Sequence, residues 1–272
     1  MHPGASVVGV DATTDLFAGA PQRTIAERLA RLRVWNVVLG LLHAGQAVVV
    51  LLLSTDFAVP IVTHALTGPP GSGSETIELF DLRVAWAVAA FLFLSAVAHL
   101  LIASPWLYPR YTAMLRQGRN DYRWIEYAFS ASLMAVLIGV LPGITDVAAV
   151  IAIFGVNAAM ILFGLLQERY ERPGGSLLPF WLGCIAGAVP WLAIGVYLAG
   201  IGTEVSPPGF VYAIFVSLFL FFMSFAVNQW LQYRRIGPWK DYLYGERVYM
   251  ILSLVAKSAL AWQVFAGTLA PS

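Results

Sequence analysis

The chain has 272 residues, of which 59% are hydrophobic and only 11% are charged, whereas an average soluble domain has about 25% charged residues. This balance excludes a disordered chain and argues against an ordinary soluble enzyme, and the net charge of +1 gives no general attraction to nucleic acid. The single cysteine, Cys184, cannot form an internal disulfide or a clustered thiolate metal site.

Seven apolar segments are each long enough to cross a bilayer, which takes about 20 residues in a helix. We predict spans at about residues 34–55, 84–107, 122–142, 146–168, 177–201, 209–233 and 246–269. The predicted fold class is an all-α membrane protein, built as a seven-transmembrane-helix bundle. The chain then divides into a flexible N-terminal tail, residues 1–22, and a single seven-helix domain, residues 23–272.

The connections between the spans are short turns rich in proline and glycine, with one exception. The first connection, about residues 56–82, is long and contains a Gly/Ser/Pro cluster from Gly68 to Ser74. Extended segments flank this cluster, so we predict a short extracellular β-hairpin. A cap over the bundle is the simplest interpretation of this connection.

Lysine and arginine lie almost entirely on one side of the predicted bundle. Of the 16 such residues, fourteen fall in the N-terminal segment or in the second, fourth and sixth connections. Because positive charge marks cytoplasmic loops, we predict a cytoplasmic N-terminus and an extracellular C-terminus, in a multi-pass protein of the plasma membrane. The two exceptions are Arg83, at the outer mouth of the second span, and Lys257, inside the seventh.

Two charged residues lie within the predicted spans, where burial is costly. Lys257 follows Arg247 by ten residues, which is about 15 Å along a helix and near the bilayer midplane. Glu126 enters the third span from the basic side. A structural ion pair could explain Lys257, and a carboxylate reaching the membrane edge could explain Glu126. However, a desolvated neutral amine also condenses with aldehydes to form Schiff bases, and Glu126 could then neutralise the protonated product.

Further polar residues share the depth of Glu126 or a helix face with these groups. These residues, several of which lie three or four positions apart and so share a helix face, are His43, Gln46, Ser95, His99, Ser130 and Ser253. We predict a small hydrated cavity between Lys257 and the cytoplasmic surface, although histidines in membranes more often make helix–helix hydrogen bonds. Two histidines and Glu126 are suitable zinc ligands, but a lysine facing the cavity disfavours a cation, so we predict no metal.

The fifth to seventh spans are rich in aromatic residues, most of which we assign to packing or to the membrane interface. We predict that Trp191, Phe215 and Trp262 contact a flat conjugated ligand. Asn157, Met160 and Gly164 recur at helical spacing on the fourth span and could form a second wall. Pro190 should kink the fifth span and open space beside it.

Two segments resemble a known family of retinal-binding proteins. The run Ser253-Leu-Val-Ala-Lys257-Ser-Ala-Leu-Ala-Trp262-Gln-Val-Phe-Ala-Gly-Thr resembles the seventh helix of heliorhodopsins. The run Trp124-Ile-Glu126-Tyr-Ala-Phe-Ser130 resembles their third helix. The orientation inferred above from charge is similar to the inverted orientation of that family. The resemblance extends from about Arg23 onward, and Ala131 departs from the family's serine cluster in a way that could retune colour.

The resemblance implies that Lys257 carries all-trans retinal as a protonated Schiff base, with Glu126 as counterion and Ser253 hydrogen-bonding nearby. It implies that His43 and His99 line the Schiff-base cavity and receive or share the proton released on illumination. It also implies that the long first connection takes part in a homodimer.

We therefore predict a non-enzymatic light sensor with a slow photocycle and an unknown cytoplasmic signalling partner. The outer half of the predicted bundle lacks Asp and Glu outside its loops, and pumps use carboxylates on both sides of the chromophore. The proton should return from the same cavity without net transport. The alternatives are a light-driven or light-gated ion transporter, and a non-photoactive enzyme or carrier that uses Lys257 to bind another aldehyde or an anion.

Overall fold

The computed structural model describes residues 16–17, 20–200 and 206–271, and seven of the helices in this part are long and apolar enough to cross a membrane. They are α1 (Gln22–Leu53), α2 (Val84–Ala103), α4 (Asp121–Val140), α5 (Val147–Tyr170), α6 (Leu178–Leu198), α7 (Gly209–Tyr233) and α8 (Tyr242–Val264). A short helix, α3 (Tyr108–Arg116), follows α2, a 3₁₀ turn (Gly237–Lys240) precedes α8, and a π-helical turn (Phe265–Leu269) continues it. The predicted seven-helix membrane fold is confirmed.

The predicted hairpin is also confirmed. Strands β1 (Ala58–Leu66) and β2 (Ser74–Arg83) pair antiparallel, with one register shift between Ile61 and Val62. The backbone N–H of Val62 donates to the Thr145 carbonyl at 3.0 Å, which attaches β1 to the turn between α4 and α5. We call this end of the bundle the hairpin side and the opposite end, where α1 begins, the basic side.

The first helix begins at Gln22, twelve residues before the predicted span. The buried side chains of Ile25, Leu29 and Leu32 follow helical spacing and continue the packed face of the membrane segment. The predicted tail, residues 1–22, lies mostly outside the described residues. Within its described part, the side chain of Phe17 is buried.

Polar caps and one proline determine other helix ends that hydropathy could not fix. Helix α2 ends at Ala103 because Pro105 disfavours a helical Ser104, which is extended with ψ of 155°. Helix α8 begins at Tyr242, four residues before the predicted bound, since the Asp241 side chain accepts a hydrogen bond from the N–H of Leu243 at 3.0 Å.

The first and last membrane helices are connected at both ends. On the basic side, the backbone N–H of Tyr242 donates to the Leu16 carbonyl at 2.9 Å, and Arg28 forms an ion pair with Asp241. On the hairpin side, the N–H of Thr55 donates to the Leu269 carbonyl at 2.9 Å. These contacts close the bundle into a ring.

The interior is divided between an apolar part and a polar part. Buried aliphatic residues of α2, α4 and α8 fill the hairpin side, among them Val88, Leu137, Ile138, Leu260 and Val264. Buried polar side chains are concentrated toward the basic side, among them Asn36, His43, Ser95, Asn120, Arg123, Glu168 and Glu246. The candidate site lies where the two parts meet.

Candidate functional site

Lys257 and Glu126 form a buried ion pair between α8 and α4. The Nζ atom of Lys257 donates to Oε1 of Glu126 at 2.9 Å and to Oγ of Ser253, one turn earlier on α8, at 3.0 Å. The Lys257 and Glu126 side chains are only 4% and 10% exposed. The two charges that hydropathy isolated within the spans are thus partners.

Hydroxyl groups and an aromatic ring complete the surroundings of this pair. Ser95 on α2 donates to Oε1 of Glu126 at 2.6 Å, and Ser130, one turn after Glu126 on α4, is fully buried. The Nζ atom of Lys257 lies 4.9 Å from the centroid of the Tyr127 ring, where a cation–π interaction adds to its stabilisation. Three helices therefore contribute to one charge pair.

The two predicted histidines meet beside this pair. The rings of His43 and His99 are stacked, with centroids 5.8 Å apart. Nδ1 of His99 lies 2.7 Å from Oδ1 of Asn36, a buried residue that the sequence interpretation missed. Neither ring nitrogen of His43 has a hydrogen-bond partner within the described part of the chain. His43 therefore has hydrogen-bonding capacity that the described protein groups leave unused.

A large apolar cavity of about 280 Å³ begins at Lys257 and extends between α4, α5, α6 and α7. Its walls are mainly aromatic and aliphatic, and they include Trp124, Tyr127, Met134, Phe222 and Phe225. The volume is close to the range of about 300–1,000 Å³ that is usual for small-molecule sites. An apolar cavity bordered by a single lysine amine suits a hydrophobic aldehyde.

The predicted ligand contacts divide into two groups. Met160, Gly164 and Trp191 border the large cavity, together with Ser253 and Lys257. Other predicted residues do not border it. The amide of Asn157 donates to Oγ of Ser132 at 3.1 Å, and Phe215 instead packs against Trp191, with ring centroids 5.4 Å apart.

Gln46 and Trp262 pair with each other away from both the cavity and Glu126. Nε1 of Trp262 donates to Oε1 of Gln46 at 3.1 Å, and Trp262 is 38% exposed. The buried stripe of α1 runs through His43, Ala47 and Val50, so Gln46 lies at its edge and faces the outer part of α8. The predicted contributions of Gln46 to the polar cavity and of Trp262 to the ligand pocket are therefore not seen.

A second buried charge cluster was missed by the sequence interpretation. The guanidinium of Arg123 on α4 forms ion pairs with Glu168 on α5 and Glu246 on α8. Nε1 of Trp124 also donates to Oε2 of Glu168 at 2.7 Å. These residues lie within two turns of helix ends, where the sequence alone indicates ordinary interfacial charges.

A small polar cavity of about 30 Å³ lies between the two charged clusters. Glu126 and Glu246 both border it, as do Asn36, His99 and Tyr111. This volume is sufficient for about one water molecule, and its lining offers several polar partners. Of the residues predicted to enclose a hydrated cavity, Glu126 and His99 border this space, whereas His43, Ser95 and Lys257 do not.

Comparisons with known proteins bear on the family and on the fold of the chain. The family model described as Heliorhodopsin matches residues 32–269. Among solved structures, the transmembrane domain of the Salpingoeca rosetta rhodopsin phosphodiesterase superposes with a TM-score of 0.61 at 12% identity, covering 93% of this chain and 91% of that one. Cyanorhodopsin N4075R from the cyanobacterium Tolypothrix sp. NIES-4075 superposes with a TM-score of 0.58 at 13% identity, covering 92% and 96%. No curated protein matches the chain.

We expect Ser95→Ala to destabilise the retinal-free protein by about 1–3 kcal/mol, because Glu126 loses a buried hydrogen bond to its charged carboxylate. The measurement is thermal unfolding in detergent. Ser224→Ala is the matched control, since that hydroxyl donates only to the Leu220 carbonyl of its own helix. Equal stability of the two variants would contradict the contribution of Ser95.

Proposed function

The chain belongs to the heliorhodopsin family, and we propose that it is a light-sensing protein that carries all-trans retinal on Lys257. The family and the rhodopsin fold support a photoreceptor-type rhodopsin. The observation that carries the finer proposal is the position of Lys257, which borders the large cavity while its amine contacts Glu126. Retinal linked to this amine as a protonated Schiff base would supply absorption of visible light and isomerisation.

The residues around Lys257 would then stabilise the positive charge of the protonated Schiff base. Glu126 is the proposed counterion, because its carboxylate is already the acceptor for the Lys257 amine at 2.9 Å. Ser95 and Ser253 orient this pair through their hydroxyl groups. Met160, Trp191 and Phe222 would form apolar walls around the ligand.

The buried ionisable groups that could accept a proton released near Lys257 lie toward the basic side in the described part of the chain. His43, His99 and the small cavity lie there, whereas buried aliphatic residues such as Leu137 and Leu260 fill the hairpin side. We therefore propose that the proton is taken up and returned on one side, in a slow photocycle without net ion pumping. A light-driven or light-gated transporter is the alternative, and it would need a polar path through the aliphatic layer.

Several further parts of the proposal rest on sequence and family. The basic side would face the cytoplasm, so that the N-terminus is inside and the C-terminus is outside the plasma membrane. The exposed strand β2 would contribute to a homodimer, and a cytoplasmic protein would receive the light-induced change. Residues 23–272 would act as a single retinal-binding domain without enzymatic activity.

Lys257→Ala should abolish the visible colour of retinal-loaded protein. The one other lysine of the chain, Lys240, lies in the turn before α8 and does not border the large cavity, so it cannot replace Lys257 as the attachment site. The measurement is the visible absorption spectrum after addition of all-trans retinal. Lys240→Ala is the matched control and should keep the colour. A pigment that persists in Lys257→Ala would overturn the proposal and would favour a carrier with another attachment site.

Glu126→Gln should shift the absorption of the pigment to the red while the Schiff base remains protonated. Without the negative charge, the positive charge is less localised at the nitrogen, which lowers the excitation energy. The Schiff base should also lose its proton at lower pH, which a spectral titration would measure. Glu27→Gln, at an exposed site, serves as control. An unchanged spectrum and titration in Glu126→Gln would identify another group as the counterion.

Retinal-loaded protein in liposomes should give no stationary photocurrent under continuous light, because the buried ionisable side chains of the described residues lie on the basic side of Lys257. The visible spectrum of the same sample shows whether pigment is present. Colour without stationary current supports a sensor. Colour with a sustained current would instead favour the transporter alternative.

A further inference from the structure

Two carboxylates compete for one guanidinium in the cluster of Arg123, Glu168 and Glu246, which we call the triad. Their side chains are at most 4% exposed. The nearby arginines of the same two helix ends, Arg119 and Arg169, both approach Asp121 instead. If both glutamates were ionised, the triad would carry one net negative charge in a site shielded from bulk solvent.

The neighbours of the triad are polar but uncharged. Asn120 donates from Nδ2 to Oε1 of Glu246 at 2.5 Å and from its backbone N–H to Oε2 of Glu168 at 3.0 Å. The ring of Tyr249 lies 3.9 Å from the Arg123 guanidinium carbon. The phenols that face the triad from α3, α7 and α8 are Tyr111, Tyr233, Tyr242 and Tyr249. None of these groups supplies a positive charge.

We propose that Glu168 and Glu246 share one proton in the dark and that the triad is a proton reservoir for the light reaction. One proton makes the triad electrically neutral, which removes the cost of an isolated buried charge. Both carboxylates contact the same guanidinium, one through each terminal nitrogen, so we assign the proton to the pair and not to one residue. This inference rests on the proposed function and extends its proton path beyond the histidines.

The small cavity connects this reservoir to the retinal site. Glu246 of the triad and Glu126 of the ion pair border the same water-sized space, together with His99. A proton leaving the triad would move through this space to the imidazole of His99, so that both triad carboxylates become ionised and His99 gains the matching positive charge. Its return would restore the neutral triad, so the exchange balances without a proton from outside.

The first test uses the full chain without retinal, in lipid nanodiscs near neutral pH. Infrared spectroscopy should show the carbonyl stretching band of a protonated carboxylic acid. Either Glu168→Gln or Glu246→Gln should remove this band, because the remaining carboxylate then pairs one-to-one with Arg123. Glu27→Gln, at the exposed start of α1, and Glu126→Gln should both retain it.

The outcomes separate the reservoir from a purely structural ion triad. Absence of the band in the unmodified chain would overturn the shared proton, and this result does not depend on whether any variant folds. A band lost only in Glu126→Gln would assign the proton to the retinal site and would also overturn the proposal.

The second test uses the retinal-loaded protein. Light should decrease the carbonyl band in the unmodified chain, and this difference signal should be lost in Glu246→Gln while visible colour remains. A coloured protein whose carbonyl band does not respond to light would overturn the exchange. A chain that gains no colour would overturn the proposed function, while the retinal-free spectrum would still decide whether the proton is shared.

Discussion

A lysine amine buried among apolar helices requires a negative charge close to it, and much of the structure follows from this requirement. Lys257 lies on α8, and its partner Glu126 lies on α4, so the pair determines how these helices face each other. Ser95 brings α2 to the same carboxylate. The apolar cavity opens on the other side of the amine, which leaves Lys257 in contact with both a counter-charge and a space for a ligand.

This interior is asymmetric along the membrane normal, and the asymmetry has chemical consequences. Toward the basic side, buried amides, imidazoles and carboxylates surround small spaces that suit water. Toward the hairpin side, aliphatic side chains of α2, α4 and α8 pack at the level of Leu137 and Leu260, and the nearby contact of Ser217 with Gln263 is polar but uncharged. This asymmetry supports the proposal that a proton is taken up and returned on one side, without net transport.

Hydropathy predicted the spans and turn composition predicted the hairpin, because both depend on properties of short segments. The partnership of Lys257 with Glu126 was predictable because these are the two charges within the spans. The triad was not predictable in the same way. Glu168 and Glu246 lie near helix ends, where most charges face solvent, and only tertiary packing shows that Arg123 joins them. The pairing of Gln46 with Trp262 was missed for a related reason, since helical spacing does not fix the rotation of a helix against its neighbours.

The contacts that join α1 to α8 have a consequence for assembly. Ribosomal synthesis produces α8 after the other six membrane helices, so the hydrogen bonds of Leu16 with Tyr242 and of Thr55 with Leu269 can form only after α8 is made. They are contacts of very high sequence separation, which form slowly because long loops must close first. Until then Glu126 lacks its lysine partner, and the membrane must accommodate an open bundle. Insertion of α8 would thus complete the closed ring and the chromophore site in a single late step.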